Sequence, residues 1–228
     1  MKTPVNARTL KHHFTYNWWM YLMVVLVSLL LVPMVFDVTE PPVPEEKKVL
    51  VYIYGLTDEE AFNGYMESVR LRELPEMESM HSVSLVPDET YGSMQLVTYM
   101  AAHEGDLYIL PRDEFLSFAS SGAFVPLEDD EVLMSLFSGA GVDLKRGWRT
   151  LSDSDERHLY GIPADTLPGL GRLCYVNNGY LAVMAYGGNT ENTMVFFRAL
   201  CRDMLNDPEA AATETDLEPG AVPVQAAP

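Results

Sequence analysis

The chain is 228 residues long, with 48% hydrophobic and 21% charged residues, and its 33 acidic against 15 basic residues give a net charge of -18. This composition is typical of an ordinary globular domain and excludes collagen-like, disulfide-dense and wholly disordered proteins. Nucleic-acid binding is excluded too, because phosphate backbones are bound by clusters of Lys and Arg that release counterions, and the sequence has no such cluster.

A long uncharged stretch near the N-terminus predicts one transmembrane helix over residues 14–36. From Met20 to Phe36 only Ser28 interrupts the apolar run. At about 1.5 Å per residue, a helix of this length crosses a hydrocarbon core of roughly 30 Å. A buried core helix of the same length would show polar residues at helical spacing on its exposed side, and this stretch does not.

Charges on the two sides of this stretch predict its orientation. Residues 1–13 contain basic residues and no acid, whereas acids follow soon after the span, beginning with Asp37. The positive-inside rule puts residues 1–13 in the cytoplasm and everything after Phe36 outside, in a single-pass membrane protein. The alternative is a cleaved secretory signal, but the apolar region exceeds the usual length of roughly 7 to 15 residues and no small-residue cleavage site follows.

Composition divides the remainder into three parts. Residues 37–47 are rich in proline and predict a stiff, extended linker. Residues 48–206 predict an extracytoplasmic domain, and residues 207–228, which contain no base, predict a disordered acidic tail. All 33 acids but only 12 bases lie after Phe36, a net charge of -21 that favours solubility without specifying a fold.

Strand and helix patterns alternate along the first half of the predicted domain. Apolar, β-branched runs predict strands at residues 48–55, 82–86 and 106–111. Each strand is followed by a stretch with helical periodicity. The first predicted helix starts at a capping box over residues 57–60, and the other two cover residues 93–103 and 113–120. The helix over 93–103 is predicted to have one apolar face, formed by Leu96, Val97, Met100 and Ala101. This alternation predicts a three-layer α/β fold with a mostly parallel sheet.

The second half of the domain shows weaker patterns. After the acidic stretch Glu128–Glu131 the next signal is at residues 159–163. Two apolar runs within residues 173–185 flank Asn178-Gly179, which predicts a β-hairpin. A final helix over 191–205, capped by Asn189 or Thr190, is expected to pack on the sheet through Met194, Phe197, Cys201 and Met204.

Several of these segments also carry a family resemblance. They are Lys48-Val-Leu-Val-Tyr-Ile-Tyr-Gly55, Gly105-Asp-Leu-Tyr-Ile-Leu-Pro-Arg-Asp-Glu-Phe115, Ala119-Ser-Ser-Gly-Ala-Phe-Val-Pro-Leu-Glu-Asp129 and Tyr160-Gly-Ile-Pro-Ala164. In this order they resemble the first lobe of the extracellular solute-binding proteins of ABC importers, and residues 179–185 and 189–200 resemble that family's return strand and following helix. The resemblance implies a non-enzymatic lobe that binds a small solute such as a sugar or peptide and works with an ABC permease.

Two features depart from the family pattern. Residues 160–179 are too few to build a second lobe, and a membrane span stands where Gram-positive members carry a lipid-modified cysteine. In this hypothesis a turn at residues 177–179 replaces the second lobe. One lobe cannot close around a solute, so the chain is interpreted as a degenerate binding component. The alternative is a protein-interaction or assembly module, in which the uncovered face docks another membrane protein.

The predicted binding residues follow from the fold. Ligands of open α/β sheets lie beyond the carboxyl ends of the strands. Aromatic side chains at this edge can stack on a sugar, and an Arg side chain can pair with a carboxylate. The predicted ligand-binding residues are Tyr54, Gly55, Tyr91, Arg112 and Tyr160. The competing interpretation is that these are ordinary loop residues.

No other cluster in the sequence indicates chemistry. Cys174 and Cys201 are predicted to lie outside, where oxidation is permitted, so either a disulfide between them or two buried free thiols is expected. The histidines are isolated, which argues against a zinc site, and no calcium loop is present. Because no nucleophile, acid pair or cofactor motif stands out, we expect neither an enzyme nor a cofactor; an anchored hydrolase would need such a cluster.

Overall fold

The computed structural model describes residues 7–39, 43–88, 91–152 and 154–206. The chain forms two compact units, one within residues 1–42 and one within residues 43–228. The predicted acidic tail, residues 207–228, lies outside the described residues, as do residues 40–42 of the predicted linker.

The first unit is a single helix, α1 (Ala7–Thr39), which contains the predicted span. Its window Trp18–Val35 is long and apolar enough to cross a membrane, and none of that window is buried among the described residues. The helix itself is therefore as expected. Its insertion in a membrane and its orientation stay predictions.

The second unit contains the remaining helices and the strands of the described chain. The helices are α2 (Glu59–Glu73), α3 (Tyr91–Ala101), α4 (Arg112–Ser120), α5 (Glu131–Ala140) and α6 (Thr190–Leu205). The strands are β1 (Lys48–Tyr54), β2 (Leu56–Thr57), β3 (Ser79–Leu85), β4 (Leu107–Leu110), β5 (Trp148–Thr150), β6 (Arg157–Leu159), β7 (Ile162–Pro163), β8 (Cys174–Tyr175) and β9 (Tyr180–Val183).

Five strands form a central sheet in the order β3-β1-β4-β9-β7. Strand β1 is parallel to β3 and to β4, while β9 is antiparallel to both of its neighbours, β4 and β7. Four strands therefore run in one direction and β9 runs in the other, which confirms the mostly parallel sheet. The pairs β2–β8 and β5–β6 are antiparallel and lie outside this sheet.

Strand β1 is buried on both faces of the sheet. Val51 and its alternate neighbours pack in a core with α2, α5 and α6, whereas Tyr52 and its alternate neighbours pack in a second core with α3 and α4. Successive side chains of a strand point to opposite faces, so a strand inside three layers must be apolar throughout. The three-layer α/β fold is confirmed.

A buried carboxylate connects three elements at the amino edge of the sheet. Asp106 stands directly before β4 and is only 5% exposed. Its Oδ2 accepts a hydrogen bond from the backbone N–H of Leu50 in β1 at 2.9 Å, and its carboxylate also accepts one from the backbone N–H of Asn189 before α6. Burial raises the pKa of Asp106, and these two N–H donors offset part of that rise.

The imidazole of His158 on β6 hydrogen-bonds the carboxylate of Glu128. That carboxylate also accepts the backbone N–H of Leu159 at 2.9 Å. The hydrogen bond to Glu128 raises the pKa of His158. Since the folded-state pKa lies above the unfolded value of roughly 6.5, the contact contributes its full stability below that pH and loses it as the pH rises through the folded-state pKa.

The structure corrects the predicted start of α2 and one face of α3. Asp58, not Thr57, caps α2, because its Oδ1 accepts the N–H of Ala61 at 3.0 Å while Thr57 pairs in β2. On α3 Leu96 and Met100 are buried as predicted, but Val97 and Ala101 are exposed. The wider predicted face is therefore wrong, because α3 contacts the sheet along a narrower stripe.

The predicted hairpin within residues 173–185 is wrong. The chain does turn there, since the N–H of Gly179 donates to the carbonyl of Val176 at 3.0 Å. However, β8 pairs with β2, whereas β9 inserts between β4 and β7. The two runs part because β9 completes the buried sheet, where all four of its residues are enclosed.

Two further elements differ from expectation. Residues 45–47, predicted as extended linker, form a short 3-10 turn that packs on the domain, because the carbonyl of Glu46 accepts a hydrogen bond from the Asn189 amide at 2.9 Å. Helix α5 and the β5–β6 pair lie where the patterns were weak. Asp130 caps α5, accepting the N–H of Leu133 at 3.0 Å.

We expect Asp106→Ala to lower the free energy of unfolding by about 1–3 kcal/mol, because two buried N–H groups lose their acceptor. Urea unfolding of the full chain, followed by circular dichroism, measures the change. The exposed Asp155→Ala serves as the matched control and should stay within about 0.5 kcal/mol of wild type. Equal losses in the two variants would show that the Asp106 carboxylate is not a structural acceptor.

We expect His158→Gln to lower the melting temperature more at about pH 5.5 than at about pH 8.5, since the charged pair with Glu128 forms only while His158 is protonated. Melting curves of wild type and variant at both pH values test this. Glu128→Gln should abolish the same pH dependence. A loss that is equal at both pH values contradicts the assignment.

Candidate functional site

The carboxyl ends of three parallel strands meet at one edge of the sheet. Tyr54, the last residue of β1, is paired with Leu85, the last residue of β3. Leu110 ends β4 and is paired with Tyr180, the first residue of β9. The loops after β1, β3 and β4 and the start of β9 therefore share this carboxyl edge.

A cleft of about 230 Å³ opens at the carboxyl edge beside β4 and β9. Four separate chain segments line it, with the residues Arg112, Arg146, Asp165, Asn178, Gly179 and Tyr180. Arg112 begins α4, Arg146 precedes β5, Asp165 follows β7, and the last three residues lead into β9. The cleft thus exists only because the sheet brings distant segments together.

A second, more apolar cavity of about 260 Å³ adjoins this cleft. It shares Asp165, Asn178 and Gly179 with the cleft, and its wall continues through Leu167 and Tyr175. The two cavities together place polar groups beside an apolar surface, which is the usual composition of a small-molecule site.

The two arginines that line the cleft differ in their acidic partners. Nη2 of Arg146 donates to both carboxylate oxygens of Asp165, at 2.6 and 2.7 Å, and this contact raises the pKa of Arg146. Among the described residues, the one ion pair of Arg112 is a long contact of 3.6 Å to the exposed Asp113. Exposed pairs at such a distance contribute little, so the Arg112 guanidinium stays available to an incoming group.

An aromatic stack supports the floor of the cleft. The ring of Tyr180 lies parallel to that of Phe115, with centroids 4.4 Å apart, and the guanidinium of Arg149 lies 5.8 Å from the centroid of Phe115. Nε of Arg149 is buried and has no hydrogen-bond partner among the described residues. Burial lowers the pKa of Arg149, and the nearby charges of Arg112 and Arg157 lower it further.

Four of the five predicted binding residues lie at the carboxyl edge. Arg112 lines the cleft, Gly55 follows β1, and Tyr91 begins α3 with its side chain exposed. Tyr54 is buried, and its hydroxyl donates to the carbonyl of Asp88 at 3.1 Å, so it positions the loop after β3. A role of these four residues in binding stays a prediction.

The structure does not bring Tyr160 to this edge. It is 2% exposed and precedes Ile162, which pairs with Leu181 of β9. Continuing that register places Tyr160 at the level of Val183 and Leu107, where β4 begins. Tyr160 therefore packs in the core at the level where β4 begins, away from the carboxyl edge.

The sequence interpretation missed most of the cleft. Arg146 and Asp165 carry no local motif, and they meet only because the turn before β5 contacts β7. The sequence pattern places Asn178 and Tyr180 in a predicted hairpin and gives no sign that they line a cleft. The Asn-Gly pair did signal a turn, and a turn at the end of a strand is the one feature that could have indicated a binding loop.

Both cysteines are free thiols in the structure. Cys174 lies in β8 and Cys201 in α6, and both are buried in the core with α2 and α6. Burial raises the pKa of Cys174 to about 12 and raises that of Cys201 as well. The structure therefore holds the buried-thiol alternative rather than the disulfide, and neither thiol has the low pKa of a nucleophile.

Within the described ranges, no group of three or more His, Cys, Asp or Glu side chains is arranged to hold a metal ion.

No protein-family model matches the chain, and no curated protein shows significant similarity to it. Similar solved structures include extracellular solute-binding proteins. One is the family 1 protein of Alicyclobacillus acidocaldarius, with 16% identity over 51% of this chain and a TM-score of 0.36. Another is the maltose-bound MalE3 of T. maritima, with 19% identity over 51% of this chain and a TM-score of 0.37.

A third similar structure is a family 1 extracellular solute-binding protein of Bifidobacterium longum subsp. infantis, with 16% identity over 55% of this chain and a TM-score of 0.36. The matched part of this chain spans only 27% to 32% of the length of these three proteins. The structural neighbours belong to the family that the sequence segments resemble, and they overlap with about half of this chain.

We expect Gly55→Ala to destabilise the domain by about 1–3 kcal/mol, because its Cβ would lie 2.5 Å from the carbonyl oxygen of Tyr175 and 2.7 Å from Cγ2 of Val176. Gly64→Ala in α2 is the matched control, since no atom lies within 4 Å of its added Cβ. That change should stabilise the helix by up to about 1 kcal/mol. Urea unfolding should give opposite signs, and equal signs would contradict close packing of β8 at Gly55.

Proposed function

We propose that residues 43–206 form a membrane-anchored, extracytoplasmic binding module that captures a small solute at the carboxyl edge of its sheet and does not catalyse a reaction. The observation that carries the proposal is the cleft assembled there by four separate segments. Open α/β sheets bind their ligands at this edge. The ordered resemblance of the sequence segments to one solute-binding lobe supports the same function.

The groups in the cleft suit recognition of a polar solute. Arg112, Arg146 and the Asn178 side chain offer hydrogen-bond donors, whereas Asp165 and the Asn178 carbonyl offer acceptors. The adjoining apolar cavity offers a surface for the less polar side of a ring. Because the described domain covers a solute from one side only, part of the ligand stays in water and we expect modest affinity.

The anchor follows from α1 and from the charges on its two sides. An apolar window of 18 residues supports a single span, and the acid-free N-terminal segment supports a cytoplasmic N-terminus. In this arrangement the cleft faces the outside of the cell, where solutes for an importer are captured. An ABC permease is then the expected partner.

A second candidate function is docking of another polypeptide at the same edge. Large apolar side chains are exposed there, namely Leu56 at 68%, Val86 at 71%, Tyr91 at 75% and Tyr175 at 63%. Leu56 is paired directly with Tyr175 across β2 and β8. Clustered exposed apolar residues mark interaction sites, and a membrane protein beside the anchored domain would cover them.

Thermal shift of the full chain in detergent, screened with sugars, oligosaccharides and short peptides, separates the two functions. We expect at least one class to raise the melting temperature, because a ligand at 100 times its dissociation constant adds about 2.7 kcal/mol to stability. The double variant Leu56→Ser with Val86→Ser should retain this shift, since neither side chain lines the cleft or the adjoining apolar cavity.

Cross-linking of the protein in membranes tests the alternative function, docking of another polypeptide. If no solute class shifts the melting temperature, and if the Leu56→Ser, Val86→Ser variant loses a stoichiometric cross-linked partner, solute capture is wrong and docking is supported. Asp155→Ala, exposed and outside both surfaces, is the control for the cross-linking yield.

A further inference from the structure

The cleft at the carboxyl edge is locally basic in a strongly acidic protein. The chain after Phe36 holds 33 acids against 12 bases, yet the cleft is lined by two guanidinium groups and one carboxylate. The guanidinium of Arg149 lies 5.8 Å from the centroid of Phe115, whose ring stacks on that of Tyr180 in the cleft. A concentration of positive charge against the net charge of the protein indicates recognition of an anion.

Among the groups that line the cleft, one positive charge, that of Arg112, is left without a close acidic partner. Asp165 is occupied by Arg146, at 2.6 and 2.7 Å. Asp143 is occupied by Lys145 at 3.3 Å. Asp113 lies 3.6 Å from Arg112 and points into solvent, with 90% of its side chain exposed. The planar fork of Arg112 is therefore free to bind both oxygens of an external carboxylate.

We propose that the cleft selects a small solute that carries a single carboxylate, a sugar acid, with Arg112 binding the carboxylate and with Asp165 and Asn178 binding its hydroxyls. This inference rests on the proposed capture of a solute at the carboxyl edge and adds the chemical class of that solute.

Size and charge both support this class. A cleft of about 230 Å³ is smaller than the roughly 300–1,000 Å³ of sites for drug-sized molecules, which suits a single sugar ring. One unmatched positive charge fits the single negative charge of a carboxylate better than a phosphate group, which carries about -1.5 to -2 near neutral pH. A neutral sugar would accept hydrogen bonds from Arg112 without the opposite charge and the bidentate geometry that a carboxylate offers to a guanidinium.

Isothermal titration calorimetry of the full chain in detergent tests the inference with matched pairs. The probes are D-glucuronate with D-glucose, and D-galacturonate with D-galactose, because each pair differs only in the carboxylate. We expect the acid of at least one pair to bind about tenfold or more tightly than its neutral partner, and this preference to fall as salt is raised.

The Arg112→Gln variant should lose at least tenfold in affinity for the sugar acid and should bind the two members of the pair alike. Lys145→Gln is the matched control, because it also removes one positive charge. The Lys145 side chain is 85% exposed and does not line the cleft, although Lys145 directly precedes Arg146. That control should keep the wild-type preference. The salt dependence of the wild type requires no variant, so it tests the charge contribution even if Arg112→Gln fails to fold.

Three results overturn the inference and can be told apart. If a neutral sugar binds as tightly as its acid and Arg112→Gln changes nothing, the carboxylate specificity is wrong while solute capture stands. If inorganic phosphate alone binds more tightly than either sugar acid, the site recognises phosphate instead. If no sugar, sugar acid, oligosaccharide or peptide binds, the proposed function fails together with this inference.

Discussion

The buried carboxylate of Asp106 is the constraint on which the rest of the domain depends. It ties the backbone of β1 and the start of α6 to the beginning of β4, across 56 and 83 residues of sequence. Such a group is costly to bury unless its oxygens are hydrogen-bonded, so its two N–H donors must be in place. Once β1 and β4 are aligned by this contact, their opposite ends reach the same edge of the sheet.

The candidate site is a consequence of that alignment. Arg112 follows β4 directly, while Tyr180 starts the antiparallel strand β9 beside it, so both reach the edge without any long loop. The stack of Tyr180 on Phe115 then gives the cleft a rigid floor. The polar groups above this floor come from short turns after β7 and before β5, which are anchored by their neighbouring strands.

The proposed binding of a solute from one side would carry a cost in affinity. Solute sites commonly bury most of the ligand surface, whereas the cleft of the described domain leaves its outer side open. In the proposed function a charged contact to Arg112 would supply part of the binding, and exposure of its side chain to water would make that contact sensitive to salt. The exposed side chains of Leu56, Val86, Tyr91 and Tyr175 around the same edge offer the surface on which another chain would complete the enclosure.

The sequence by itself determined the elements whose signal is local. The uncharged run of α1, the fully apolar β1 and the alternation through α4 are each decided by neighbouring residues, and they predicted the layers and the mostly parallel sheet. Only the tertiary structure decided that β8 and β9 belong to different sheets, that Tyr160 lies away from the edge, and that Arg146 meets Asp165. Those outcomes depend on which strands pair, and strand pairing is set by contacts between residues far apart in the chain.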